Sequence, residues 1–193
     1  RIKKTLNAPE QRNVLIYGRR RVGKSELIKQ ALTDLSDVAT IYYECRQTSE
    51  ADNLESLSAL AAEALSFPPL AFTGIRELIE FLFAQAKDKN ITLVLDEYPY
   101  LRDAVKGLDS ILQTSIDAHR EDSRLNIVLC GSYVEIMKSL IEHESPLYGR
   151  IDLALELKPM DYFDAAKFYP AFSPEDKVRL YSVFGGIPFY NRL

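Results

Sequence analysis

The chain has 193 residues, of which 47% are hydrophobic and 27% are charged, and its formal net charge is −4 at pH 7. That length suffices for one α/β domain, or one domain with a short appendage, and the composition is ordinary for a soluble globular protein. The acidic balance argues against a surface built mainly to hold nucleic acid, although it is compatible with a local basic patch.

Short apolar runs alternate with amphipathic stretches along the chain. The runs predict strands at 13–18, 40–46, 91–96, 125–132 and 151–157. Apolar residues at helical spacing predict helices behind residue 24 and over 54–64, 75–86, 101–112 and 134–142. From Lys158 onward we expect short helices punctuated by prolines. Continuous apolar strands that alternate with helices predict a parallel sheet covered on both faces, and the alternation at 151–157 is typical of a half-buried or edge strand.

The sequence carries no signal of a metal cluster or of a membrane segment. Cys45 and Cys130 share no close spacing with each other or with the two histidines, so no zinc motif is visible. Two sparse cysteines fit a reducing cytosol, and we expect a cytoplasmic protein. No apolar run approaches the ~18 residues that span a bilayer, so we expect no membrane partner.

The stretch YGRRRVGKSEL at 17–27 has the spacing G-x-x-x-x-G-K-S of a phosphate-binding loop, between a predicted strand and a predicted helix. Gly18 and Gly23 allow a sharp turn and the close approach of backbone N–H groups to phosphates. Lys24 places a charge near the β- and γ-phosphates, and the Ser25 hydroxyl is a predicted ligand of Mg²⁺. The predicted cofactor-binding residues of this loop are Gly18, Arg19, Arg20, Arg21, Val22, Gly23, Lys24, Ser25 and Glu26. The alternative is a glycine turn with a coincidental lysine.

Three consecutive arginines, Arg19, Arg20 and Arg21, fill the variable positions of the loop. Because the backbone wraps the phosphates, we expect these side chains to point to solvent and to add to the local positive potential. The alternative is a contact with a regulatory domain or with nucleic acid. Three residues are too few for a nucleic-acid patch in an acidic chain.

A second motif, ITLVLDEYPYL at 91–101, is an apolar strand that ends in Asp96 and Glu97. Ligands of open α/β sheets bind at the carboxyl ends of the strands, so we predict that Asp96 holds Mg²⁺ there through water. Glu97 is then placed to orient and activate the attacking water. The alternative is a pair of solvent-facing carboxylates. Nucleotide kinases usually lack this glutamate, which favours an ATPase.

Ser132 ends the strand 125–132. In ATPases with an added central strand, the strand beside the Asp-Glu strand carries a polar sensor of the γ-phosphate or of the water, and Ser132 is the candidate for that catalytic role. The alternative is the N-cap of the helix predicted over 134–142, and both roles are compatible.

Five motifs occur in order: YGRRRVGKSEL, LDEYPYL, CGSYVEIM, ESPLYGR and FGGIPFY. Together they resemble the archaeal-type ATPase family of the STAND class of P-loop NTPases, an AAA-like ATP-binding domain also found in bacteria, from about Asn13 to Tyr190. The resemblance implies the added-strand ASCE branch, with a five-stranded parallel sheet of order 51432 and a short helical tail. The strand 13–18 would lie between 151–157 and 125–132. Family members continue into winged-helix and often nuclease-like domains, so we expect an ATPase core at 1–158 and the start of a helical region at 159–193 that leads to a missing C-terminal part.

The resemblance also implies further site residues. Pro188 and Ile187, in the GGIP segment, are candidate adenine contacts, and the alternative is a proline at the first turn of a helix. Arg150 is a candidate catalytic arginine that senses the γ-phosphate, in cis or in trans. Its alternative is a structural ion pair with one of the acidic residues Glu142, Glu144 and Asp152. The box that many family members have ahead of the first strand is absent, so the amino-terminal wall of an adenine pocket is not predicted.

These motifs predict a domain that binds ATP with Mg²⁺ and hydrolyses it, as a nucleotide-dependent switch in a larger multidomain protein. ATP is favoured over GTP because the guanine-binding motif N-K-x-D does not occur. The expected partners are ATP or ADP and the protein's own C-terminal domains, with nucleic acid bound only through those domains. The alternatives are a nucleotide-binding scaffold with negligible hydrolysis, a P-loop kinase, which Glu97 disfavours, and a helicase-like motor, for which the nucleic-acid motifs are missing.

Overall fold

The fold is given by a computed structural model that describes residues 1–33, 35 and 37–192. The strands are β1 (Asn13–Tyr17), β2 (Val38–Glu44), β3 (Asn90–Asp96), β4 (Leu125–Gly131) and β5 (Leu153–Glu156). The helices are α1 (Ile2–Leu6), α2 (Lys24–Thr33), α3 (Glu50–Leu65), α4 (Ile75–Gln85), α5 (Tyr98–Ala104), α6 (Leu108–Ala118), α7 (Val134–Ser139), α8 (Tyr162–Ala165), α9 (Pro174–Phe184) and α10 (Pro188–Asn191), with a 3-10 turn at Ala166–Phe168. Within these ranges no helix has the length and the apolar character to cross a membrane.

The strands form one sheet in the order β2-β3-β4-β1-β5, and every neighbouring pair is parallel. The predicted order 51432 is confirmed, with β4 inserted between β1 and β3. All strands run in one direction, so their carboxyl ends lie along the same side of the sheet. The loop that follows β1 and the side chain of Asp96, at the end of β3, are both on that side. Since β1 is paired on both sides, the loop that follows it starts from a fixed backbone.

Two apolar layers cover the sheet, as predicted. The strands β1 and β4 are buried along their whole length, whereas β5 alternates half-buried and exposed residues as an edge strand does. Helices α3 to α6 cover one face through residues such as Leu57 and Leu112. Helices α1 and α2 cover the other face through Ile2 and Ile28.

Some element boundaries differ from the sequence-based prediction. The helix predicted over 101–112 is divided into α5 and α6, because Gly107 takes a left-handed backbone (φ 77°) just before α6. Helix α1 has no predicted counterpart, since its 5 residues are too few to show an apolar period. The strand predicted at 40–46 runs from Val38 to Glu44, and the helix predicted over 134–142 ends at Ser139.

The C-terminal layer, residues 158–192, is held at a few points. Helix α9 has no buried residue, and the side chains of Phe163 and Val183 are 76% and 74% exposed. Gly186 lies directly against Met160: the Met160 N–H donates to the Gly186 carbonyl at 2.7 Å, and a Cβ on Gly186 would lie 1.7 Å from the Met160 carbonyl oxygen. The buried Asn191 side chain donates to two carbonyl oxygens of the same segment. Residues 185–191 are therefore fixed against the chain that leaves β5.

Candidate active site

The phosphate-loop motif forms a tight turn between β1 and α2. Position 18 requires glycine because a Cβ there would lie 2.1 Å from the Leu157 carbonyl oxygen. Arg21 and Gly23 have φ angles of 69° and 95°, so the backbone reverses direction before α2 begins at Lys24. Such a turn at the start of a helix of 10 residues directs backbone N–H groups and the positive end of the helix dipole toward one point, where an anion is stabilised.

Lys24 lies inside the curve of this loop. It is only 6% exposed, and its ammonium donates to the carbonyl oxygens of Gly18 (3.0 Å) and Arg19 (3.2 Å). Because an ammonium has three N–H donors, it can bind a phosphate oxygen as well. Val22 is buried at the turn, and Glu26 is exposed on the first turn of α2.

Asp96 is 4% exposed and accepts hydrogen bonds on both carboxylate oxygens. The Ser25 hydroxyl (2.6 Å) and the Tyr42 hydroxyl (2.5 Å) donate to Oδ2, and the Glu97 N–H donates to Oδ1 at 2.9 Å. Burial by itself would raise the pKa of Asp96, but these donors and the Cys130 thiol outweigh it and lower that pKa. The structure thus brings Ser25 into direct contact with an ionised Asp96.

Glu97 follows at once, with a left-handed backbone (φ 51°) that residues other than glycine seldom adopt. The Ser132 N–H donates to its Oε2 at 3.2 Å, and the Ser132 hydroxyl lies 3.0 and 2.9 Å from the two carboxylate oxygens. The N-cap position of α7 is Tyr133, which makes no side-chain cap bond, so the N-cap alternative for Ser132 is wrong. Glu97 and Ser132 are therefore in contact at the sheet edge that also carries Asp96.

These side chains fit a nucleotide with Mg²⁺. That cation prefers oxygen ligands and is usually held by one or two protein groups, with phosphate and water completing its shell. Ser25 and Asp96 supply the protein oxygens, and Lys24 and the loop N–H groups supply donors for phosphate. In the described part of the chain, no group of three or more His, Cys, Asp or Glu side chains is arranged to hold a metal ion.

A family model described as an ATPase domain predominantly from Archaea matches residues 1–190. This chain belongs to that family. The resemblance to the archaeal-type ATPases is thereby confirmed.

Three proteins similar to this ATPase domain are each longer than the chain. MJECL04, an uncharacterized protein of Methanocaldococcus jannaschii, is 32% identical over 178 residues, which is 92% of this chain and 38% of that protein. The fold is similar to that of the Walker-type ATPase PABY2304 of Pyrococcus abyssi, with a TM-score of 0.66 and 22% identity over 97% of this chain and 63% of that one. It is also similar to the ORC2 protein of Aeropyrum pernix in its ADPNP–ADP complexes, with a TM-score of 0.61 and 18% identity over 88% of this chain and 46% of that one. The chain spans less than two thirds of each.

In this ATPase domain, Arg150 lies at the amino-terminal ends of the strands, opposite to the phosphate loop and Asp96. Its carbonyl oxygen accepts a hydrogen bond from the Asn13 side chain at 2.9 Å. Asn13 begins β1, whereas the phosphate loop follows the end of β1, roughly 13 Å away at ~3.3 Å per residue. The Arg150 guanidinium donates to both oxygens of Asp117 (2.8 and 2.6 Å), and these bonds raise its pKa. A γ-phosphate contact in cis is therefore wrong, and the ion-pair partner is Asp117 rather than the acidic residues nearer in sequence. A role in trans stays a prediction.

The three loop arginines are exposed, as predicted. They are nevertheless not all directed to open solvent. The Arg20 guanidinium donates to the Tyr100 hydroxyl at 2.9 Å and lies 6.0 Å from the ring centroid of Tyr133. Tyr100 and Tyr133 follow Glu97 and Ser132 closely in sequence, so this contact links the loop to the surroundings of both residues.

Arg21 joins the loop to the C-terminal layer. Its guanidinium donates to the Tyr190 hydroxyl at 2.7 Å and lies 4.5 Å from the ring centroid of Phe189. Arg21 thus contacts the C-terminal segment of its own chain, and the alternative of a contact with a separate regulatory domain or with nucleic acid stays untested.

Pro188 lies beside the same loop: a Cβ on Gly23 would be 3.9 Å from its Cγ. It stands in the first turn of α10, with Ile187 half-buried at the N-cap, which is the structural alternative that the sequence offered. This position is compatible with an adenine contact, and that contact stays a prediction.

Two residues beside Asp96, Tyr42 and Cys130, were not among the site residues predicted from the sequence. Tyr42 is on β2, where alternation directs it toward α2 and Tyr43 toward the opposite layer. Burial raises the pKa of Tyr42 and the neighbouring Asp96 raises it further, so its hydroxyl keeps its proton and donates. The Cys130 thiol on β4 is buried beside Asp96, and burial raises its pKa. The alternation of β2 was the available signal for Tyr42.

Proposed function

We propose that this ATPase domain binds ATP with Mg²⁺, hydrolyses it, and acts as a nucleotide-dependent switch within a larger protein. The observation that carries the proposal is the contact between Ser25 of the phosphate loop and Asp96 at the tip of β3, beside Glu97. A hydroxyl, an ionised carboxylate and a second carboxylate would then lie beside a phosphate bound by the loop N–H groups.

Each side chain has a separate task in this proposal. Lys24 and the loop N–H groups bind the phosphates, and Ser25 and Asp96 would hold the cation, which would neutralise phosphate charge. Glu97 accepts a proton from the water whose oxygen forms a bond to the γ-phosphorus. The bond between that phosphorus and the bridging oxygen breaks, and ADP leaves with the bond's electron pair, giving ADP and inorganic phosphate. Ser132 orients Glu97.

The switch is supported by Arg21 and Pro188. Both connect the loop that would hold the phosphates to residues 185–191. Phosphate-dependent changes in the loop would therefore reach the C-terminal layer directly. The larger protein is supported by the length of MJECL04, of which the chain covers 38%. Any contact with nucleic acid is assigned, in this proposal, to other domains of the larger protein that contains this chain.

A second candidate is a nucleotide-binding scaffold with negligible hydrolysis. It is favoured by the hydrogen bonds that Ser132 makes to both oxygens of Glu97, because a base engaged in this way must be released before it can meet water. The two candidates differ in the turnover of the unmodified protein.

The test compares ATP binding and ATP turnover in matched variants. Glu97→Gln is expected to bind ATP normally and to lose turnover by about 10²–10⁴-fold, because it removes the general base. Lys24→Ala is expected to weaken ATP binding roughly 10- to 100-fold, since one charge-assisted contact contributes ~1.5–3 kcal/mol. Glu55→Gln and Lys106→Ala, at exposed positions away from the loop, are the controls.

Three results would contradict parts of the proposal. Normal ATP binding by Lys24→Ala would reject the phosphate loop as the site. Equal, measurable turnover in the unmodified protein and in Glu97→Gln would reject Glu97 as the base. ATP binding with no turnover above background, even in the unmodified protein, would favour the scaffold.

A further inference from the structure

The hydroxyl of Tyr42 reaches the same oxygen of Asp96 as Ser25 does. Tyr42 belongs to β2 at the far edge of the sheet, and its hydroxyl donates to Oδ2 of Asp96 at 2.5 Å. Ser25 donates to that oxygen at 2.6 Å, and the N–H of Glu97 fixes Oδ1 at 2.9 Å. The carboxylate is therefore held against rotation by donors from β2, from α2 and from the residue that follows it in the chain.

The ring of Tyr42 is itself held in place. It packs against the apolar layer that contains Val94 and Ile28, and the Lys29 ammonium lies 5.3 Å from its ring centroid. Its donor hydroxyl therefore comes from a side chain fixed by both the sheet and α2.

We propose that Tyr42 is a positioning residue for the divalent cation: it keeps the Asp96 carboxylate oriented toward Ser25 while the Ser25 oxygen is used as a metal ligand. The inference rests on the proposed function, because it assigns a cation to Ser25 and Asp96. With Tyr42 present, the buried Oδ2 keeps a donor however the Ser25 hydroxyl turns. Without the Tyr42 hydroxyl, the Asp96 carboxylate is held by fewer donors, so the cation must also fix its orientation on binding. Oδ2 of Asp96 is then a buried acceptor with one hydrogen bond fewer. Residues that orient a metal ligand typically change metal affinity by about 10- to 100-fold when they are removed.

The test is Tyr42→Phe, which removes one hydroxyl and keeps the packed ring. The matched control is Tyr43→Phe, the same change on the next residue of β2, whose hydroxyl donates to Asn53 in the opposite layer at 2.6 Å. Affinity for a fluorescent, non-hydrolysable ATP analogue is measured first in EDTA and then against increasing free Mg²⁺. Electron paramagnetic resonance of Mn²⁺ in the presence of the same analogue measures cation affinity directly.

For Tyr42→Phe we expect unchanged affinity in EDTA and about a 10-fold rise in the Mg²⁺ and Mn²⁺ concentrations needed for half-saturation. Tyr43→Phe is expected to match the unmodified protein in both. A loss of affinity in EDTA equal to the loss with Mg²⁺ would mean a general structural effect and overturn the proposal, and so would unchanged half-saturation in Tyr42→Phe. A failure of the proposed function gives a different result, since the unmodified protein would then bind no analogue in either buffer.

Discussion

The phosphate loop is held on two sides by regions of very different character. On the sheet side, the Ser25 hydroxyl is hydrogen-bonded to Asp96, which is 4% exposed. The strand before the loop, β1, is paired with β4 on one side and with β5 on the other. On the C-terminal side, Arg21 meets Tyr190 and Phe189 in a layer whose helix α9 has no buried residue.

The difference separates what must stay fixed from what is free to respond. Packed interiors are close to rigid, so the sheet side keeps its hydrogen-bond distances unless the domain unfolds. Regions with few buried apolar contacts open at a small cost in free energy. We therefore expect the sheet side to set the chemistry of the loop and the C-terminal layer to change its position.

The largest expected effect compares one truncation in each region. Leu93→Ala, at a fully buried position of β3, which is paired on both sides, is expected to lower the free energy of unfolding by about 2–5 kcal/mol, because it leaves a cavity in a packed core. Val183→Ala, at a position that is 74% exposed on α9, is expected to change it by less than about 0.5 kcal/mol. Urea denaturation measures both, and equal losses would remove the contrast between the regions.

An intermediate effect is expected where the C-terminal layer meets the chain after β5. Gly186→Ala would place a Cβ 1.7 Å from the Met160 carbonyl oxygen, so residues 185–191 must move away. Overpacking typically costs about 1–3 kcal/mol, which corresponds to roughly 5- to 150-fold faster protease cleavage within 161–192. The stability of the core, measured in urea, is expected to stay unchanged.

The control is Gly74→Ala, whose Cβ would meet only the flexible Glu50 side chain at 3.3 Å. Cleavage of Gly186→Ala at the rate of this control would show that the layer is not anchored through Gly186.

The smallest effect is expected at the contact between Arg21 and Tyr190. Tyr190→Phe removes the hydrogen bond of 2.7 Å and keeps the ring, for a loss of about 0.5–1.5 kcal/mol. The same proteolysis assay is expected to show about 2- to 10-fold faster cleavage, while Tyr148→Phe, at a side chain that is 49% exposed, shows no change. If Tyr190→Phe also leaves cleavage unchanged, the hydrogen bond does not hold the layer to the loop.

The continuous apolar strands predicted the parallel sheet, and the family resemblance implied its strand order. The two motifs assigned Ser25 and Asp96 to one Mg²⁺ site, and the structure adds that their side chains are hydrogen-bonded to each other. Tyr42 was missed because its bond to Asp96 joins residues 54 positions apart, and the register of β2 against β3 decides it. The break before α6 depends on the backbone of Gly107, which an apolar period does not reveal.

The error at Arg150 has a simple geometric cause that the sequence already contained. A residue just before a parallel strand lies at the amino edge of the sheet, and ligands of such sheets bind at the carboxyl edge. The motif ESPLYGR precedes β5, so Arg150 lies at the amino ends of the strands, on the side of the sheet away from the phosphate loop of its own chain.

The strand order also has a consequence for the path by which the domain forms. Strands β2 and β3 pair with each other, but the first strand of the chain has no partner until β4 and β5 exist: Asn13 pairs with Ile127, and Val14 with Leu153. During synthesis, β1 therefore stays unpaired until residues more than a hundred positions later have been made. Closing the long segment between β1 and β4 is slow. The backbone that cradles the phosphates is completed only when the last strands arrive, so a partly synthesised chain has no nucleotide site to occupy.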